Sequence, residues 1–151
     1  MMKRAFRRRG ALQAGVALGL GCMLPTARAC EYFSPTLRVF HPWTRASATD
    51  AGFAMVCMTF DEVTRADRLV HVETPVAAGV EMGGLPAGAA LDLPILPGQA
   101  TVLSEAGVHL RLVGLRQTLE VARSYPLKLV FEQGGVVNAM LSVDYTAFRF
   151  K

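Results

Sequence analysis

Catalytic signatures are missing from this chain of 151 residues. It contains no G-x-S-x-G elbow, no H-E-x-x-H zinc helix and no Walker loop, which removes the common hydrolase, zinc-peptidase and nucleotide-phosphate designs. Ser104 and Glu105 precede His109 without forming an evident triad, so no enzyme activity is expected. Cysteine is scarce: there are three, with no C-x-x-C pair, and thioredoxin-like redox chemistry therefore lacks its site. Beyond residue 29 no basic stretch is interleaved with aromatics, so nucleic-acid binding has no support.

Acidic residues are also absent from the first thirty positions, where Lys3, Arg4, Arg7, Arg8 and Arg9 precede an apolar, small-residue stretch from Gly10 to Leu24. That stretch is too short for an ordinary membrane span, and Ala27-Arg28-Ala29 closes it with an A-x-A pattern. The order is that of a signal peptide over residues 1–29, cleaved after Ala29. Arg8-Arg9-Gly10-Ala11-Leu12 also resembles a twin-arginine signal, so general secretory and twin-arginine export both stay open. Cys30 invites a lipid anchor, but Ala27 and Arg28 suit a lipobox poorly and none is expected. Without the leader the net charge of +4 becomes −2, ten basic residues against twelve acidic ones, in 122 residues. The apparent basicity belongs to the leader. The remainder is expected to be one domain without a membrane span, with an N-terminal tail at 30–36 and the folded body at 37–151.

Strand formers dominate that body. Gly52 to Phe60 and Arg68 to Val72 read as strands, as do Thr101 to Leu103, Val108 to Val113, Leu127 to Phe131 and Val136 to Val143. Glu132-Gln-Gly-Gly135 predicts a hairpin turn between the last two, because glycine accepts positive φ. Alternation places Val137, Ala139, Leu141 and Val143 on one core face, and Leu127, Leu129 and Phe131 on another. Short strands separated by turns predict an all-β, single-domain antiparallel sandwich, with one helical turn over Leu119 to Arg123.

Three segments resemble the periplasmic copper chaperones called PCu(A)C. They are His41-Pro-Trp-Thr-Arg-Ala46; Arg68-Leu-Val70 with Glu73-Thr-Pro-Val76 and Val80-Glu-Met82; and Pro97-Gly98 through Gly107-Val-His-Leu-Arg-Leu-Val-Gly-Leu115 with Pro126 to Glu132. The resemblance implies a cupredoxin-like, Greek-key β-sandwich in the periplasm, carrying copper(I). Its implied partners are the dinuclear copper-centre subunit of a terminal oxidase, or another periplasmic copper carrier.

Copper(I) is soft, and thioether and imidazole ligands hold it without deprotonating a thiol. The family pattern is His-x10-Met-x21-His-x-Met, and most of it is absent here. Gly83 stands where the first His belongs, and Gly84 to Leu96 contains no Met. His109 matches the second His, and Arg111 replaces the last Met with a permanent cation. His109 and Arg111 share one strand face while Val108, Leu110 and Leu112 share the other. Met82, one residue before the lost His, is the candidate substitute ligand beside His109, and it also suits an ordinary apolar strand-end position. His41 and His71 have no second ligand nearby in sequence.

Cys30 and Cys57 are the cysteines outside the leader. In an oxidising compartment they admit a disulfide contributing about 3 kcal/mol, a buried free thiol at Cys57, or a metal ligand. Two functional readings remain open: a divergent carrier with weak or altered copper binding through His109 and Met82, and a non-metal module that presents Met82, His109 and Arg111 to a protein or anionic ligand.

Overall fold

The computed structural model describes residues 30–84 and 89–144, so the leader lies outside it. Ten strands run through these residues, and no helix: β1 Glu31–Phe33, β2 Arg38–Thr44, β3 Phe53–Asp61, β4 Asp67–Glu73, β5 Ala77–Gly83, β6 Leu93–Ile95, β7 Thr101–Leu103, β8 His109–Leu115, β9 Ser124–Phe131 and β10 Gly135–Val143. Residues 30–36, read as a tail from sequence, carry β1, which pairs antiparallel with β2.

The strands join in the order β5-β8-β3-β2-β10-β9-β4-β6, with β1 added beside β2 and β7 beside β3. The sheet curls around an apolar interior that includes Val39, Val56, Phe60, Leu69, Leu110, Leu112, Leu129, Phe131 and Leu141, all essentially inaccessible. Phe60 and Phe131 meet there edge to face, with ring centroids 5.7 Å apart. The alternation expected in β9 and β10 is realised: Leu127, Leu129, Phe131, Val137, Ala139, Leu141 and Val143 are all buried. Their hairpin closes with Gly135 opposite Phe131, at φ +74°.

Two local expectations are corrected. The pairing is not antiparallel throughout, because β10 lies parallel to β2 at Ser142 and Val143. Leu119 to Arg123 forms a turn and not a helix: Leu119 bridges Ser47 and is fully buried, and Ala122 takes φ +64°. A left-handed residue breaks helical dihedrals.

The turn after β9 is held from below by Asp67. Its carboxylate accepts hydrogen bonds from the Thr36 hydroxyl (2.7 Å) and from the backbone amides of Gln133 (2.8 Å), Gly134 (2.9 Å) and Arg68 (2.8 Å). Burial pushes this carboxyl's pKa up, but those donors outweigh it and leave the value below the ordinary carboxylate range.

Candidate metal edge

Strand β8 lies between the edge strand β5 and β3. The β5–β8 register sets Gly83 opposite His109, Met82 opposite Leu110 and Glu81 opposite Arg111. Directly paired residues share a sheet face. Met82 and Leu110 therefore point into the core, where Met82 is 6% exposed, while His109 and Arg111 project from the other face. The candidate ligand pair His109 and Met82 is not brought together: one residue of offset in strand position puts them on opposite sides.

His109 is not the solvated residue that an outward position suggests. It is 8% exposed, and its Nδ1 donates to the Gly107 carbonyl at 2.9 Å. A carbonyl only accepts, so Nδ1 carries a proton, and the neutral tautomer with this bond has its lone pair on Nε2. Among the described residues Nε2 has no hydrogen-bond partner. The supporting loop is tightly closed, since the Ser104 amide donates to Val108 O (2.9 Å) and the Gly107 amide to Ser104 O (3.2 Å). Arg45, just beyond β2, anchors the same loop through Glu105 (Nε to Oε1, 2.6 Å).

Gly83 makes room for the ring. A β-carbon on it would stand 2.3 Å from His109 Nε2 and 2.7 Å from Arg111 Cδ, closer than side chains tolerate. The neighbouring Gly84, at φ +74°, meets the Gly107 carbonyl in the same way, at 2.3 Å. Arg111 stacks its guanidinium over Phe53, 3.8 Å from the ring centroid. Its Nε is buried without a hydrogen-bond partner, and Glu81 Oε1 stands 3.9 Å away. Arg111, which the resemblance sets at the last ligand position, is thus held against Phe53.

The other candidate residues lie elsewhere. His41 sits at the β2 bulge with φ +48°, its Nε2 3.5 Å from Asp144 Oδ2, and His71 Nε2 is 3.6 Å from Glu73 Oε2. Both cysteine thiols are free. Cys30 Sγ contacts Ser142 Oγ at 3.4 Å, and Ser142 is separated from Cys57 by Trp43 in the row Ser142, Trp43, Cys57. Two strand spacings, about 10 Å, separate the ends of that row, so Cys30 and Cys57 are not placed for a disulfide. Cys57 is 1% exposed, and burial pushes its thiol pKa up to about 11, with Glu105 adding to the shift and Arg45 opposing it. Among the described residues no three His, Cys, Asp or Glu side chains converge. No helix there is long and apolar enough to cross a membrane. A surface groove lined by Pro75, Arg116, Pro126, Lys128 and Met140 lies apart from His109.

Sequence reading overlooked the Gly107 carbonyl, the Arg45–Glu105 pair and Phe53. The turn residues around Gly107 announce a loop, but nothing in them identifies which carbonyl meets the imidazole.

Comparison with known proteins agrees with this architecture. Residues 37–143 match the family model described as putative lipoprotein LpqE-like. The apo PCuAC domain from PmoF1 superposes with a TM-score of 0.69 at 26% identity, covering 76% of this chain and 98% of that one. The copper-bound PCuAC domain from PmoF2 gives 0.68 at 25% identity, covering 76% and 97%. The copper(I) form of DR1885 from Deinococcus radiodurans shares the fold, with a TM-score of 0.61 at 22% identity over 75% of this chain and 80% of its own. No curated protein sequence matches. The fold is therefore the cupredoxin-like β-sandwich of these domains, and the chain belongs to the LpqE-like family and to the PCu(A)C group of copper chaperones.

Proposed function

We propose that this protein is an exported copper carrier that binds copper(I) weakly through Nε2 of His109. In this reading it works in the periplasm and passes its cargo towards the dinuclear copper centre of a terminal oxidase, or to another copper carrier there. The observation that supports it is the state of His109. Its Nδ1 proton is committed to the Gly107 carbonyl, and its Nε2, which packs over Gly83, has no hydrogen-bond partner among the described residues. A metal-binding imidazole is oriented in the same way, by donating its other nitrogen to a carbonyl or carboxylate. Weak binding follows from the rest of the edge: Gly83 offers no donor, Met82 is turned into the core, and Arg111 opposes a bare cation.

A second reading has its own observation. Arg111 is stacked on Phe53 with its Nε buried and without a hydrogen-bond partner, and its methylenes lie next to the His109 ring over Gly83. That pair suits an anionic group, which would make the edge a non-metal interaction module. Copper(I) competition against a chelator, compared between the protein and His109→Ala, decides between them. Equal competition by both removes the carrier reading.

A further inference from the structure

The groove over β9 and β10 stands apart from His109, and its charges do not balance. We infer that it binds a small organic acid with an apolar body: the body lies over Pro75, Pro126 and Met140, and the carboxylate pairs with Arg116. This site is independent of copper.

Strand register explains the apolar floor. Met140 stands opposite Pro126 across the β9–β10 pair, in the outward row that follows Asn138 and Lys128. Pairing of β4 with β9 ends at Glu73, opposite Lys128, so β4 does not continue alongside Pro126. Instead the Thr74 hydroxyl donates to the Pro126 carbonyl at 2.7 Å, which ties the chain at Pro75 to the edge of the groove. Pro75 and Pro126 are exposed, and Met140 is 38% exposed. The groove has a volume of about 520 Å³. That lies within the roughly 300–1,000 Å³ usual for small-molecule sites.

Charge selects the ligand. Glu73, Lys128 and Arg116 are the charged side chains of the lining, and one acid against two bases leaves +1. Lys128 Nζ stands 2.6 Å from Glu73 Oε1, and that contact holds the Glu73 carboxyl below the ordinary carboxylate range, so the two cancel at neutral pH. Arg116 is the cation that remains. Its backbone amide donates to Val76 O at 2.8 Å, which fixes the end of β8 beside Pro75. Its side chain has no ion pair or hydrogen bond among the described residues. Arg38, Arg45, Arg68 and Arg123, by contrast, each meet a carboxylate at 2.7 Å or less. A guanidinium presents paired donors that match a carboxylate. An exposed ion pair alone contributes little, so the apolar floor must supply the rest of the affinity. A ligand that is only apolar or only anionic uses half of the site.

The test follows backbone amide shifts of the isotopically labelled protein while hexanoate, hexanol or acetate is added. Hexanoate is expected to shift the amides of Leu127, Ala139 and Met140 saturably, and hexanol to bind there about fivefold more weakly. Acetate should not saturate. Arg116→Gln should lower hexanoate to the level of hexanol while leaving hexanol unchanged, which also shows that the groove is intact in the variant. Glu73→Gln, which releases Lys128 as a second free cation, should tighten hexanoate about twofold, an effect that fades as salt is raised. The inference is overturned if hexanoate produces no saturable shift at these amides, if hexanoate and hexanol bind equally, or if Arg116→Gln leaves hexanoate unaffected.

Discussion

His109 occupies the space that a side chain at position 83 would need: its Nε2 lies 2.3 Å from the place of a Gly83 β-carbon. Gly83→Ala must therefore displace the imidazole and the Arg111 methylenes, and should weaken any binding that depends on Nε2. Gly84→Ala should destabilise the fold more, because the added carbon meets the Gly107 backbone at 2.3 Å and the residue has φ +74°. We expect thermal unfolding to show a loss of about 1–3 kcal/mol for Gly84→Ala and a smaller one for Gly83→Ala. The reverse order would mean that the loop at Gly107 yields more easily than the ring.

Met82→Ala separates a core role from a ligand role. Met82 is packed with Leu110 on the interior face, so truncation should cost about 2–4 kcal/mol of stability. Copper(I) affinity, measured where the variant is folded, should be unchanged. A selective loss of copper binding with stability intact would return Met82 to the ligand set.

Cys57 should be chemically silent in the folded protein. Its pKa of about 11 and near-complete burial leave little reactive thiolate at pH 8, whereas Cys30 is partly exposed. Alkylation followed by mass measurement should modify Cys30 first and Cys57 only on unfolding. Glu105→Ala, which removes the Arg45 contact that anchors the loop beside the thiol, should quicken labelling at Cys57. Equal rates at both cysteines in the unaltered protein would contradict the placement.

Asp67 should set the acid limit of stability. Its folded-state pKa is depressed below the unfolded value, so its contribution is complete above about pH 4 and fades as the pH falls towards the folded value. Asp67→Asn, which replaces one of the two acceptor oxygens shared by Thr36, Gln133, Gly134 and Arg68 with a donor, should cost about 2 kcal/mol at pH 7. It should also flatten the loss of stability below about pH 4 in urea titrations. An unchanged acid limb would place that limit in other carboxylates.

Legibility from sequence followed the range of the interactions. Val137, Ala139, Leu141 and Val143 alternate within one strand, and the glycines at 134 and 135 mark the adjoining turn, so the hairpin was visible locally. The parallel pairing of Ser142 with Trp43 joins residues far apart in the chain, and no local pattern records it. Leu119 to Arg123 read as a helical turn because its burial depends on a distant bridge to Ser47. At the metal edge the residue types at 83, 109 and 111 were legible. The face of Met82 was not, because it depends on how β5 registers against β8. The carbonyl that fixes the His109 tautomer belongs to the backbone, where residue identity carries no signal.

The central claim is that one imidazole, His109, is the protein's copper donor. Competition for copper(I) against a chelator of known affinity, for the protein and for His109→Ala side by side, tests it most directly. The account predicts measurable but weak competition that falls at least about tenfold in His109→Ala while thermal stability shows that the variant remains folded. Competition of equal strength from the two proteins would contradict it.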